Sequence, residues 1–299
     1  MLAKTPSHEA MFEADARQAA RLYAMDPRQF INTGNEDAVT LRASHKLFTI
    51  VPDPLRMVET MEIKTKYLCS LVVLAIAEVD PAKQVEFYNL TSKHPWFRGS
   101  GGYVFEKFVD AWLFSDTESE GLLCTPTEPT DGSFVLHPVG GKKLFVFMGV
   151  RALTEARRHQ TSGWLPAAPN FPSFDAIVFT PKRIITIQST IKSSHDANLK
   201  GFERIEEVYS SESLYRQKRL WCHVFMTHND ENAQRLRNQA FPHLKDKDIS
   251  IYSAVLNSAQ LCLTRERLID AQTKRVCWCW FYPRWPLPDQ SPGRARPYT

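Results

Sequence analysis

Four polar residues in the second half of the chain have the types and spacing to carry chemistry. Asp175 begins the apolar run DAIVFT, and Gln188, Thr190 and Lys192 follow in a second run, RIITIQSTIK. Because side chains alternate along a strand, the last three are predicted to project from one face. If the two runs pair as a hairpin around Thr180-Pro181-Lys182, Asp175 lies beside Gln188.

An acidic residue on a preceding helical segment, Glu106, can approach this pair from the side. Oxygen ligands from Glu106, Asp175 and Gln188 suit Mg²⁺ or Mn²⁺, which would polarise a phosphate and lower the pKa of a bound water. Lys192 would orient that water or neutralise developing charge. The set is typical of metal-dependent phosphodiester hydrolysis. Spacing alone also fits a turn-capping Asp175 and a Gln188 bonded to backbone at a sheet edge, which are the common roles of such residues.

The surrounding elements predict an α/β fold. Residues 99–102, GSGG, are expected to break the chain before a helix, YVFEKFVDAWLF, whose apolar stripe leaves Glu106, Lys107 and Asp110 to one side. SFVLHP and KLFVFMG predict a hairpin around a Gly-Gly turn. After the two strands described above come a helix from about residue 197 to 209, another near SESLYRQK, the strand LWCHVFMT, the helix NDENAQRLRNQA and the strand DISIYSAVL. The helix–strand–strand–strand–helix–strand order predicts a mixed β-sheet flanked by helices.

The first hundred residues predict a helical extension. A short amphipathic helix is followed by a polar connector and the strand LFTIV, which Pro52 and Pro54 close. KYLCSLVVLAIAEV predicts a buried helix, and AKQVEFYNLTSK a second one, with Asp80 as its N-cap and Pro81 in its first turn.

The segment from Gly99 to Ile205 resembles the nuclease-like domain of the Crinkler and retrotransposon hot spot proteins, a branch of the restriction-endonuclease-like PD-(D/E)xK superfamily. The matching stretches are GSGGYVFEKFVDAWL and NFPSFDAIVFTPKRIITIQSTIKSSHDANLKGFERI. The family places Phe-Glu on a helix, Asp on a strand, and Gln-x-Thr on the next strand with a His nearby, here His195.

The resemblance implies a restriction-endonuclease-like core in which Glu106, Asp175 and Gln188 bind the metal. It also implies that Thr190 and His195 contact the substrate, although His195 equally fits a polar residue at the start of a helix. Two departures weaken the match: Thr190 occupies the position of the motif lysine, and Gln188 is a neutral ligand. Lys192 can supply the missing ammonium or can be a phosphate-contacting or solvated lysine.

The resemblance also divides the chain. Residues 1–55 resemble the end of an ATPase module without its phosphate-binding part, 56–98 form the helical extension, 99–282 the nuclease-like domain and 283–299 a Pro-rich basic tail. The chain is interpreted as a truncated form of a longer protein, or as a member that lacks the ATPase.

Composition excludes several classes. Among 299 residues, 37 Lys and Arg oppose 33 Asp and Glu, so the net charge of +4 permits a nucleic-acid partner without implying one. Six cysteines are too few for a disulfide scaffold, and Cys277-Trp278-Cys279 lacks zinc-knuckle spacing. A phosphate-binding loop for a nucleotide is absent. With no signal peptide or membrane-length apolar run, an intracellular protein, nuclear or cytoplasmic, and no membrane partner are expected.

These observations lead to three hypotheses. The first is a Mg²⁺- or Mn²⁺-dependent nuclease acting on DNA through Glu106, Asp175, Gln188 and Lys192. The second, favoured by Thr190, is a catalytically inactive nuclease fold that binds DNA or a protein partner. A third is a fragment that folds poorly without an ATPase half.

Overall fold

The computed structural model describes most of the chain between residues 8 and 257. The described residues are 8–30, 45–52, 59–93, 98–115, 121–140, 144–147, 149–150, 152–153, 161–167, 171–192, 194, 198–210 and 220–257. Four predicted features lie outside them: the helix near SESLYRQK, His195, the Cys277-Trp278-Cys279 segment and the tail at 283–299.

Helices and strands alternate in the order expected of a mixed α/β protein. The helices are α1 (His8–Met25), a 3-10 helix (Pro27–Phe30), α2 (Lys66–Ala77), α3 (Pro81–Lys93), α4 (Arg98–Leu113), α5 (Leu199–Ser210), α6 (Asp230–Arg237) and α7 (Pro242–Lys245). The strands are β1 (Phe48–Pro52), β2 (Glu59–Ile63), β3 (Leu122–Pro126), β4 (Phe134–Leu136), β5 (Leu144–Phe147), β6 (Ser162–Pro166), β7 (Ala176–Phe179), β8 (Arg183–Ser189), β9 (Leu220–Thr227) and β10 (Ile249–Val255).

Eight of the strands form one mixed sheet in the order β4-β3-β10-β9-β8-β7-β6-β5. Strands β6, β7 and β8 are an antiparallel meander, and β8, β9 and β10 run parallel. Helix α5 connects β8 to β9, while α6 and α7 connect β9 to β10. The predicted α/β class with a mixed sheet is therefore confirmed.

Both faces of the sheet are covered by helices. In β8, Ile185 and Ile187 belong to one buried cluster, which contains residues of α1 to α4, whereas Ile184 belongs to a second cluster with residues of α5 to α7. A strand that is buried on both faces lacks the alternation of polar and apolar residues found in a half-exposed strand, which explains the nearly continuous apolar runs in the sequence.

The N-terminal elements pack into the first of these clusters. Ala16 and Tyr23 of α1, Leu47 and Phe48 all lie in the same continuous core as Val104 of α4. Tyr23 packs edge-to-face against Phe30, Phe48 and Phe87, with ring centroids 4.9 to 5.1 Å apart. The predicted strand at LFTIV is present as β1, which pairs with β2. The N-cap role of Asp80 is confirmed, because its Oδ1 accepts from the Lys83 amide at 3.0 Å.

The predicted hairpin between SFVLHP and KLFVFMG is wrong. Strands β4 and β5 lie at opposite edges of the sheet, where β4 pairs with β3 and β5 pairs in parallel with β6. Two short apolar runs beside a glycine pair satisfy the local pattern of a hairpin. Pairing, however, is decided by long-range partners that each strand can bury against.

The expected chain break at GSGG is also wrong, because α4 begins at Arg98 and runs through these residues. A Cβ on Gly101 would lie 3.1 Å from the backbone oxygen of Thr91 in α3. A glycine at this position lets the two helices approach closely, which offsets its poor intrinsic helix propensity.

Candidate functional site

The predicted site lies in the middle of the sheet, at the carboxyl ends of its parallel strands. The parallel strands β8, β9 and β10 all end on this side of the sheet, and β7 begins there because it runs antiparallel to β8. Ligands of open α/β sheets bind outside the carboxyl ends of parallel strands, so a site is expected here. Asp175 directly precedes β7, and Gln188 lies at the end of β8.

The segment before Asp175 is held against the start of α5. Ser173 has a φ of 84°, in the left-handed region, and its Oγ accepts from the Gly201 amide at 3.0 Å and donates to the Asn198 carbonyl. A Cβ on Gly201 would lie 2.0 Å from the backbone oxygen of Pro172. Glycine is therefore required where α5 passes over this segment, and the contact fixes where β7 begins.

Gly201→Ala is expected to lower the free energy of unfolding by about 2 kcal/mol, because an added methyl would collide with backbone that cannot rotate away. Urea denaturation followed by circular dichroism measures the change. Gly132→Ala is the matched control, since a Cβ added at Gly132 would meet nothing within 4 Å, and a change of less than about 0.5 kcal/mol is expected. Equal stability of the two variants would contradict the close approach at α5.

Asp175 is bound to the neighbouring strand as the sequence predicted. Ala176 pairs with Ile187, and the Asp175 amide donates to the Ile187 carbonyl at 2.8 Å. Oδ2 of Asp175 accepts from the Ser189 amide at 2.7 Å. The β7–β8 hairpin is thus confirmed, and it sets Asp175 opposite the Gln188–Ser189 end of β8.

Gln188 contributes a buried acceptor at the same end of the strand. Its Oε1 has no hydrogen-bond partner among the described residues, and neither does the buried Oγ of Ser189. Buried polar atoms are nearly always paired in folded proteins, so an orphaned amide oxygen calls for a ligand or a water. An amide oxygen is a suitable ligand for a hard divalent cation.

Helix α4 adds a charged cluster that faces this end of the sheet. The Lys107 ammonium donates to Glu106 Oε1 at 2.8 Å and to Asp110 Oδ2 at 2.8 Å. Lys107 and Asp110 are 4% and 3% exposed, whereas Glu106 is half-buried. The sequence pattern predicts all three beside the apolar stripe of the helix, and two of them are instead buried.

The electrostatics of Asp175 reflect this cluster. Its pKa is raised from 3.8 to about 7, chiefly because the carboxyl is withdrawn from water and next because of the Glu106 carboxylate. The hydrogen bond from the Ser189 amide acts in the opposite direction. Asp110 and Lys107 act with smaller and opposing effects. The pKa of Asp175 therefore depends on the charges of α4 as well as on the hydrogen bond from the Ser189 amide.

Aromatic packing holds α4 over this end of the sheet. The ring of His228, immediately after β9, packs edge-to-face against Phe105 and Tyr88, with ring centroids 6.1 and 5.7 Å apart. Phe105 is fully buried and directly precedes Glu106 in the helix. The carboxyl end of β9 and the middle of α4 are thereby packed together at the site.

The remaining predicted residues occupy different environments. Strand β8 ends at Ser189, so the alternation expected for Thr190 and Lys192 does not extend to them. Thr190 is buried, its amide donates to the Met226 carbonyl at 2.9 Å, and its Oγ1 accepts from the Lys192 amide at 3.0 Å. Lys192 is exposed, and His195 lies outside the described residues.

The predicted ligands of a metal are two carboxylates, Glu106 and Asp175, and the amide of Gln188. Among the described residues, no three His, Cys, Asp or Glu side chains form a group that could hold a metal ion by themselves. Mg²⁺ is commonly bound through one or two carboxylates, with waters and substrate phosphates completing its coordination. Asp175 and Glu106 are carboxylates of that kind, and Gln188 lies across the β7–β8 pair from Asp175.

Sequence reasoning missed Lys107 and Asp110 as members of this cluster. Their spacing of three residues on a helix allows an ion pair, and the aromatic residues around them indicate burial. This spacing and these aromatic neighbours together are the sequence features that indicate a buried ion pair.

A cleft in the surface lies away from these residues. This cleft, of about 620 Å³, opens at the amino end of β10 and is lined by Arg237, Phe241, Asp248 and the loop after β3. The Lys245–Glu128 ion pair, 3.3 Å long, joins two of its lining residues. None of the predicted site residues lines the cleft, so it is separate from the Asp175 cluster.

Comparisons of the chain with protein-family models, with curated proteins and with solved structures find no match. Within the part of the chain that the structure describes, no helix is long and apolar enough to cross a membrane.

Proposed function

We propose that the chain is a divalent-metal-dependent nuclease that hydrolyses phosphodiester bonds of DNA. The observation that carries the proposal is the position of Asp175 across the β7–β8 pair from Gln188, whose amide oxygen has no partner among the described residues, with the charged groups of α4 acting on Asp175. After α4 the chain forms three further strands, β3 to β5, and then the antiparallel meander β6–β8, helix α5 and strand β9, which runs parallel to β8; this last part of the order supports a restriction-endonuclease-like core.

The charges of the cluster support a divalent ligand. Three carboxylates, of Glu106, Asp110 and Asp175, and the one ammonium of Lys107 sum to −2 when all four groups are ionised. That charge matches one divalent cation, and protonation of Asp175 relieves part of it when no cation is bound. Bound Mg²⁺ or Mn²⁺ would polarise the scissile phosphate and lower the pKa of a coordinated water.

The chain's own residues would act around that ion. Asp175 and Glu106 supply negatively charged ligands, and Gln188 supplies a neutral one whose oxygen is already withdrawn from water. Lys192, which is exposed just beyond the end of β8, would contact a phosphate of the substrate. The buried Thr190 supports the loop through its bond to Lys192 rather than contributing an ammonium.

A catalytically inactive fold that binds DNA or a protein partner is the alternative. The observation that favours it is the position of the motif lysine, where Thr190 is buried and hydrogen-bonded to backbone.

Nicking of supercoiled plasmid separates the two proposals. The purified protein is expected to convert supercoiled DNA to the open-circular form with Mg²⁺ or Mn²⁺, and EDTA is expected to stop the reaction. Unchanged plasmid with both ions, together with retention of the DNA in a mobility-shift assay, would establish the inactive alternative.

A further inference from the structure

Lys107 occupies an unusual position for a lysine. Its side chain is 5% exposed, although it lies on a helix and carries a charge. The ammonium contacts two carboxylates at 2.8 Å each, and the ring of Tyr103 lies 5.2 Å from Nζ, within range of a cation–π contact. These contacts fix Nζ in one place.

The two carboxylates that Lys107 contacts differ in burial. Asp110 is as buried as Lys107, with a side chain 5% exposed, so this pair is an internal ion pair. Glu106 is 25% exposed and lies at the boundary between the pair and the site. An ion pair with Asp110 alone would neutralise the lysine, and the additional bond to Oε1 of Glu106 orients a carboxylate whose charge acts on Asp175.

Residues that hold metal ligands in place commonly act in this way. A ligating carboxylate is itself hydrogen-bonded to an outer partner, and loss of that partner weakens metal binding by about 10- to 100-fold. Glu106 has two carboxylate oxygens, so Oε1 can accept from Lys107 while the group also serves as a metal ligand.

We propose that Lys107 is a positioning residue for the metal, holding the Glu106 carboxylate as a ligand through its bond to Oε1. The inference rests on the proposed function. In it, Lys107 of α4 supplies an ammonium near the metal, whereas the position of the motif lysine after β8 is occupied by Thr190. Lys192 is left with contacts to the substrate.

Charge-balanced variants test the assignment by Mn²⁺ calorimetry and urea denaturation. Lys107→Met removes the buried ammonium that pairs with the Asp110 carboxylate, so it is expected to lose stability. Lys107→Met combined with Asp110→Asn removes one positive and one negative charge, which keeps the cluster at −2 and is expected to restore stability. The double variant is nevertheless expected to bind Mn²⁺ about 10- to 100-fold more weakly than wild type.

Lys182→Met is the matched control, because Lys182 is exposed in the β7–β8 turn, and its Mn²⁺ affinity is expected to equal that of wild type. A folded double variant with wild-type affinity would overturn the positioning role, since Lys107 would then only neutralise Asp110. Absence of Mn²⁺ binding by the wild-type protein would instead contradict the proposed function itself.

A second comparison decides the matter if the double variant does not fold. Lys107→Arg keeps the charge but moves the donor atoms, and is expected to weaken Mn²⁺ binding at least about threefold. That factor should vanish in a Glu106→Gln background, because Lys107 acts through Glu106. The inference would be overturned if Lys107→Arg bound Mn²⁺ with wild-type affinity. It would also be overturned if Lys107→Arg weakened Mn²⁺ binding by the same factor in the Glu106→Gln background as in wild type.

Discussion

Asp175→Asn is expected to reduce the rate of plasmid nicking by about 10³-fold or more. The substitution keeps the shape of the side chain and an oxygen that can accept from the Ser189 amide, but it removes the charge that would bind the metal. A bound cation contributes several kcal/mol to stabilising the charge of the transition state, and about 4 kcal/mol corresponds to that factor.

Initial rates at pH 8 with saturating Mn²⁺ provide the measurement. Asp246→Asn is the matched control, since Asp246 is an exposed residue following α7, and its rate is expected to equal that of wild type. An Asp175→Asn protein that retains a tenth of the wild-type rate would exclude Asp175 as an essential ligand.

The same variant is expected to be more stable than wild type at pH 8 when EDTA is present. The native pKa of Asp175 is about 7, against an ordinary value of 3.8, so between these values the native state binds more protons than the unfolded state. The free energy of unfolding therefore falls as the pH rises. The stability associated with neutral Asp175 is fully present below about pH 4 and is lost as the pH passes through 7.

The amide side chain of the Asp175→Asn variant remains neutral at every pH, so the variant avoids this loss. The difference in the free energy of unfolding is expected to be small near pH 4 and to grow to at most about 4 kcal/mol at pH 8. Urea denaturation at a series of pH values measures it, with Asp246→Asn expected to follow wild type. Parallel curves for wild type and Asp175→Asn would show that the Asp175 carboxyl is not held in an unfavourable environment. A stable variant with lost cleavage would also separate catalysis from folding.

Much of the sheet could be predicted because its strands are buried on both faces. The run LWCHVFMT predicts a strand and forms β9 over the same residues. The tight turn at Thr180-Pro181-Lys182 correctly indicates the β7–β8 hairpin, because the two apolar runs are adjacent in the chain. Local pattern suffices wherever the pairing partners are also close in sequence.

Pairing between distant segments could not be predicted in the same way. Strand β6 contains Gly163 and Pro166, residues that are unfavourable in strands, and the sequence pattern does not predict it. A Cβ on Gly163 would lie 2.3 Å from the ring of Phe114, so this glycine serves a close contact with the end of α4. Such contacts depend on the tertiary structure and leave no periodic signal.

The site shows the same division. The neighbouring positions of Asp175 and Gln188 follow from hairpin pairing. The burial of Lys107 and Asp110 does not, because charged residues beside an apolar stripe ordinarily face water. Thr190 and Lys192 do not continue the predicted alternation because the strand ends at Ser189, although the Thr190 amide still donates to the Met226 carbonyl of β9.

Titration of Mn²⁺ into the metal-free wild-type protein by isothermal calorimetry tests the metal site most directly. We expect one Mn²⁺ bound per chain at pH 8, and no detectable binding by Asp175→Asn. Wild-type protein that binds no Mn²⁺, or an Asp175→Asn variant that binds it with unchanged affinity, would contradict the assignment of a metal site to Asp175, Glu106 and Gln188.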